Sequence, residues 1–169
     1  MAETLDSSLH DEALARAESM LKLACKKELS IATAESCTGG LIAALLTDIP
    51  DCSHAYERGF VVYSPRAKSE LLSIPPERIE RFGVVSKEIA EDMALGALKA
   101  SHADIALSVT GFAGPGGADD EEGLVHLACA RRGYPTDHRE EHFGPQGRAG
   151  IRRATIDVAL QMIERAVQA

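Results

Sequence analysis

The stretch Thr33-Ala34-Glu35-Ser36-Cys37-Thr38-Gly39-Gly40 puts two hydroxyls and a thiol in consecutive positions, between a short β-branched segment and an apolar helical run. A serine at a strand-to-helix junction stands where free N–H groups and the positive end of the following helix can stabilise an oxyanion or hold an anionic group. The same residue types also serve as helix N-caps, so Ser36 or Thr38 could equally do no more than close the helix start. The small residues ending in Gly39-Gly40 leave the backbone open to a ligand. Cys37 is a rival nucleophile, but the local sequence offers no histidine to act as its base.

A second candidate is Gly111 to Gly117 (GFAGPGG), with four glycines and one proline in seven residues. Such a segment has too little side chain to pack and enough freedom to turn backbone amides toward a ligand. Its order, G-x-x-G-x-G-G, is not that of a dinucleotide loop, and the lysine of a nucleotide triphosphate loop is missing. Two further patterns carry no chemistry. His138-Arg139-Glu140-Glu141-His142 fits the H-x-x-E-H string of inverted zinc peptidases, but that motif needs a helix, and Tyr134-Pro135 and Gly144-Pro145 leave room only for a solvated strand. Ser19-Met20-Leu21-Lys22 matches S-x-x-K, yet it lies inside an amphipathic helix with no strained turn to present the hydroxyl.

The elements that must position these groups alternate. Residues 8–28 form an amphipathic helix with Leu14, Ala17, Leu21, Ala24 and Cys25 on its buried stripe. Ser30 to Ala34 is a strand, LIAALLTDI a helix, and Arg58 to Tyr63 a second strand. Pro65 suits the first turn of a helix carrying Lys68, which read alone is an ordinary surface lysine. A short helix within the loop from Pro75-Pro76 to Gly83 precedes a long helix from Ser86 to about Ala100. His102 to Thr110 and Leu124 to Ala130 are strands, 136–143 an edge strand, and Ile151 to Ala166 a final helix. The alternation predicts an α/β protein, a single-domain three-layer α/β/α sandwich with a mixed sheet over residues 1–169.

Composition agrees. The chain has 169 residues with 45% hydrophobic and 26% charged, enough to fill one core. A net charge of −8 argues against direct nucleic-acid binding, and 4% aromatics with no Trp leave little for base stacking. No apolar run approaches the roughly 18 residues of a membrane span, and a secretory leader pattern is missing, so the expectation is a cytoplasmic protein. Cys25, Cys37, Cys52 and Cys129 form no C-x-x-C pair, which predicts reduced thiols and no zinc site. Apolar helices could support a homodimer.

AESCTGG, followed in order by ERGFVVYSPRAKSELL, GVVSKEIAEDMALGAL, ADIALSVTGFAGPGG and GLVHLACA, resembles the CinA C-terminal-domain family over roughly residues 30–165. Enzymatic members of that family are nicotinamide-mononucleotide amidohydrolases, which convert the mononucleotide to nicotinic acid mononucleotide and ammonia in pyridine-nucleotide salvage. The resemblance implies Ser36 as nucleophile, Lys68 as general base and Tyr63 assisting, with neither metal nor cofactor. It also implies that Cys37, Thr38 and Gly39 contact substrate, and that Thr110, Gly111, Gly114, Gly116, Gly117 and Arg148 hold its phosphate. Arg148 could instead merely begin the last helix beside solvated Arg152 and Arg153. The alternative expectation is a non-catalytic nucleotide-binding module, or an interaction protein associated with competence and DNA damage. Two departures from the family pattern stand out: the acidic run Ala118-Asp119-Asp120-Glu121-Glu122 replaces a longer Lys-Pro-Val loop, and Asp51-Cys52-Ser53 replaces Gly-Ser-Ser.

Overall fold

Side chains on the central strands are sorted by size. Ala32, Ala34, Ala106, Ser108, Ala128 and Ala130 fall on one face, and Ile31, Ile105, Leu107, Val109, Val125, Leu127 and Cys129 on the other, all buried. Because successive strand residues point to opposite faces, this alternation builds two different cores from one sheet. The computed structural model describes residues 11–169. In chain order the elements are α1 (Asp11–Lys26), β1 (Ile31–Glu35), α2 (Leu41–Thr47), a 3₁₀ turn (Ser53–Ala55), β2 (Tyr56–Val61), α3 (Pro65–Leu72), α4 (Pro76–Phe82), α5 (Lys87–Lys99), β3 (Ile105–Gly111), β4 (Leu124–Arg131), β5 (Asp137–His142) and α6 (Gly147–Gln168).

The sheet runs β2-β1-β3-β4-β5, with β1 parallel to β2 and β3, and β4 antiparallel to β3 and β5. It is the mixed sheet of an α/β/α sandwich. Helices α1, α2 and α6 pack on the face of large side chains, and α3, α4 and α5 on the face of small ones. The small face lets a helix come close: Ser108 Oγ donates to the Ala90 carbonyl of α5 at 2.5 Å. The chain leaves β1 over one face and returns from β2 to β3 over the other, so the carboxyl ends of β1 and β3 flank a topological switch point, where α/β sheets take ligands.

Several element details differ from the expectation. Residues 8–10 of the first helix lie outside the described residues. Within α1 the buried stripe is Ala13, Ala17, Met20, Leu21 and Ala24, while Leu14 is exposed, because the helix packs against α6 and α2. β2 stops at Val61, so Val62 turns fully inward and Tyr63 outward. Gly111 ends β3 rather than opening the loop: a Cβ there would lie 2.8 Å from the Leu124 carbonyl, so the close pairing with β4 requires glycine. The helix α6 begins four residues early, at Gly147, and takes Arg148 into its first turn.

α3 is short, with Pro65 in its first turn and Ser64 Oγ accepting the Ala67 N–H at 3.1 Å. It is held against α5 at Gly96, where a Cβ would lie 2.4 Å from the Leu72 carbonyl oxygen. Alanine normally stabilises a helix interior by about 1 kcal/mol relative to glycine. At this crossing the sign reverses, since backbone cannot yield as a side chain can. Gly96→Ala is expected to lower stability by roughly 1–3 kcal/mol, read as a reduced midpoint in urea unfolding.

Candidate active site

Glu35 and Ser36 are neighbours whose side chains leave the sheet on opposite faces. The ladder continues one residue past β1, since Ser36 N–H donates to the Val109 carbonyl at 3.0 Å. Ser36 therefore faces α3, and Glu35 faces α2. Lys68 sits one turn into α3, and helix side chains lean toward the helix N-terminus, so its amine reaches back to the end of β2. Lys68 Nζ donates to the Val62 carbonyl at 2.8 Å and to Ser36 Oγ at 3.1 Å.

Lys68 is only 1% exposed, so the reading as a surface lysine fails: tertiary packing covers a side chain whose local sequence looks solvated. Among the described residues no carboxylate forms an ion pair with it. Burial without a counter-charge disfavours the ammonium and lowers its pKa from the ordinary 10.5 to about 8. An amine in that range is neutral for part of the time near pH 7 and can accept a proton from a hydroxyl. Cys37, 4% exposed, moves the other way: burial pushes its thiol up to about 12, which keeps it protonated and a poor nucleophile.

Ser36, Cys37, Tyr63 and Lys68 line a cavity of about 290 Å³ together with residues 110–116 and Arg148. Its size is near the lower end of small-ligand pockets, roughly 300–1,000 Å³. Tyr63 is at the rim, 64% exposed, and its hydroxyl bonds to neither Ser36 nor Lys68. Thr110 Oγ1 is engaged, donating to the Val84 carbonyl at 2.6 Å. The guanidinium of Arg148 lies over Gly114, with its Nη2 3.2 Å from where a Cβ would stand. Gly117 lies off the cavity, and its N–H donates to Asp120 Oδ2 at 2.7 Å, so the acidic run folds back onto its own loop.

The turn after Ser36 is organised differently from a simple helix cap. Neither Ser36 nor Thr38 caps α2; Gly39 and Gly40 take positive φ of 61° and 96°, and Gly40 is the N-cap. The cap acceptor is the buried Glu35 carboxyl, which takes the N–H groups of Gly40 (3.1 Å), Ile42 (3.1 Å) and Ala43 (2.8 Å) and the Thr38 hydroxyl (2.7 Å). The N-terminus of α2 is thus occupied and offers nothing to a ligand. Gly39 N–H closes on the Ser36 carbonyl at 3.0 Å. Among the described residues, the N–H groups of Cys37 and Thr38 donate to no other residue, and that of Cys37 lies against its own sulfur. Arg152 of α6 is not solvated: its Nε donates to the Cys37 carbonyl at 2.8 Å and holds the turn from outside. Sequence reading missed both clamps, although a glutamate directly before the serine was a visible signal for one of them.

The other patterns lie elsewhere. His138 and His142 are on β5 as a strand; His138 Nε2 is 3.1 Å from His126 Nδ1, and His142 bonds Glu121 and Glu140. Among the described residues no group of His, Cys, Asp and Glu is arranged to hold a metal. Ser19 and Lys22 lie on the exposed side of α1, with Lys22 bonded to Glu18. No described helix is long and apolar enough to cross a membrane.

A sandwich with a crevice at its switch point, holding a serine against a buried lysine, defines an α/β protein with a cavity of small-molecule size at the carboxyl ends of parallel strands. The chain belongs to the CinA family: the CinA C-terminal domain matches residues 13–167. It is similar to the nicotinamide-nucleotide amidohydrolase PncC of Escherichia coli (strain K12), 42% identical over 137 residues, covering 79% of this chain and 82% of that protein. It is 41% identical over 152 residues to a putative competence-damage inducible protein of Caldicellulosiruptor saccharolyticus, covering 89% of this chain. The chain spans 36% of the length of that relative. The crystal structure of the competence/damage inducible protein CihA from Agrobacterium tumefaciens superposes with a TM-score of 0.91 at 42% identity, covering 97% of this chain and all of the other.

Burying Lys68 has a consequence for stability. Between pH 8 and 10.5 the unfolded chain binds a proton at this site that the folded chain has released, so unfolding free energy rises with pH across that window. Below pH 8 the folded protein carries the full cost of the buried charge. Lys68→Met is therefore expected to stabilise the protein at pH 7 by roughly 1–3 kcal/mol, with the gain shrinking toward pH 10. Thermal melts of both proteins at pH 7, 8.5 and 10 check the direction, and a gain that does not shrink would refute the assignment.

Proposed function

We propose that the chain, acting as one domain over residues 1–169, hydrolyses the carboxamide of nicotinamide mononucleotide to nicotinic acid mononucleotide and ammonia through a Ser/Lys acyl-enzyme route. The observation that carries this reading is the 3.1 Å contact between Ser36 Oγ and the Lys68 amine, buried and away from carboxylates at the wall of a ligand-sized cavity. Similarity to proteins named nicotinamide-nucleotide amidohydrolase supports the substrate.

In the reaction, neutral Lys68 accepts the Ser36 proton as Oγ attacks the carboxamide carbon. The Val62 carbonyl holds one N–H of the amine, which aims the nitrogen lone pair at the hydroxyl. The developing oxyanion meets the N–H groups of Cys37 and Thr38, which donate to no other described residue. Lys68, now an ammonium, returns the proton to the departing nitrogen and ammonia leaves, with the nicotinoyl group esterified to Ser36. Water then attacks the ester carbon as Lys68 takes its proton, the bond to Ser36 Oγ breaks as Lys68 returns that proton to it, and the acid product is released. Tyr63 acts as a wall of the cavity mouth and assists by positioning the pyridine ring. Arg148 and the backbone of Gly114 and Gly116 receive the phosphate, to which a planar guanidinium presents two parallel donors. Thr110 and Gly111 shape that end of the site.

Ammonia release from nicotinamide mononucleotide tests the reading. Ser36→Ala and Lys68→Ala are each expected to lower kcat by about a thousandfold or more, while Cys37→Ala stays near the wild-type rate. Since only the neutral amine is a base, kcat/KM should climb with pH through about 8 and then level. Purified protein that binds the mononucleotide without turnover would leave the chain a binding module.

A further inference from the structure

We infer that Glu35 is a positioning residue for the oxyanion donors, a role that rests on the amidohydrolase reading above. Three observations converge on it. Its side chain is 1% exposed and lies on the α2 side of the sheet, so it does not reach the cavity and touches no reacting atom. Its two oxygens accept from four groups spread over six residues of the turn that follows: the Thr38 hydroxyl and the N–H groups of Gly40, Ile42 and Ala43. The turn itself is two glycines at positive φ leading into a seven-residue helix, an arrangement with little stiffness of its own.

The division of labour follows from the strand's period of two. Ser36 is fixed from the small-residue face by Lys68 and through its N–H by Val109. The segment Cys37–Gly40 has no such anchor in the sheet. It is pinned from the opposite face by Glu35, and from outside by Arg152 on the Cys37 carbonyl. With the N–H groups of Gly40, Ile42 and Ala43 taken by Glu35 and that of Gly39 by the Ser36 carbonyl, the N–H groups of Cys37 and Thr38, which directly follow Ser36, are the two of this segment that remain for an oxyanion. A carboxyl that gathers the rest of the turn thereby decides where these two point. Their strength depends on alignment with an oxyanion that exists only transiently, so slackening the turn should affect turnover far more than substrate binding.

The test measures kcat and KM for ammonia release from nicotinamide mononucleotide in wild type, Glu35→Gln and Thr38→Val, with Ser36→Ala as the chemistry control. In Glu35→Gln an amide N–H₂ must face a backbone N–H, so one bond to the turn is lost and replaced by repulsion. Its kcat is expected to fall at least about tenfold with KM within about threefold, while the pH limb near 8 stays in place because Lys68 belongs to another element. Thr38→Val removes one of the four bonds and should give a smaller loss of the same kind; it keeps the test open if Glu35→Gln does not fold. A folded Glu35→Gln with wild-type kcat overturns the inference, as does a loss confined to KM or accompanied by a moved pH limb. If Glu35→Gln is not folded, wild-type kcat in Thr38→Val overturns it. A wild type that releases no ammonia, or an active Ser36→Ala, overturns the amidohydrolase reading and the inference together, so the two failures are told apart.

Discussion

A lysine amine sealed away from water beside a serine hydroxyl is the contact around which the rest of this molecule is arranged. The pKa of an amine in that position is lowered only if its surroundings supply no counter-charge and little solvent, and the fold meets both conditions. α3 is fixed by a proline in its first turn, a serine cap and a glycine crossing with α5, so that the Lys68 stem runs back under the end of β2. The Val62 carbonyl gives the amine one acceptor without a charge. A carboxylate in its place would have returned the lysine to its ordinary protonated state and removed the basicity that the proposed chemistry needs.

The two faces of the sheet carry different tasks. The face of alanines and Ser108 allows α5 to lie close, which brings α3 and Lys68 within reach of the strand ends. The face of larger residues packs α1, α2 and α6, and it is from this side that Glu35 and Arg152 secure the turn after Ser36. Ser36 and Lys68, the proposed nucleophile and base, are therefore set from one layer, and the backbone that would meet the oxyanion from the other. Parallel strands with connections leaving to opposite faces make such a meeting point available at their carboxyl ends.

The glycine-rich loop shows how a short acidic run coexists with a cavity lined by Arg148. Asp120 turns back onto the Gly117 N–H, and Glu121 bonds His142, so these two carboxyls are spent within the loop and the edge strand. Arg148 meanwhile lies over Gly114 on the cavity side. The phosphate end of the proposed site thus keeps its cation although the neighbouring sequence is strongly acidic.

Much was legible in the chain itself. Hydrophobic period and punctuation by proline and glycine mark the strands and helices and their alternation, because local backbone preferences and one-sided burial act over a few residues and leave a pattern in order. Ser36 before two glycines, and the ordered motifs around it, also show without coordinates. What sequence alone could not decide is everything set by distance across the chain: that Lys68, 32 residues from Ser36, is buried rather than solvated; that Glu35 rather than Ser36 or Thr38 caps α2; that Arg152 clamps the turn; and that Gly117 and Asp120 close on each other. Residue type and spacing determine which groups are present and on which face of an element they stand. The tertiary structure determines desolvation and hydrogen-bond partners, and these are what turn an ordinary lysine and an ordinary serine into a candidate base and nucleophile.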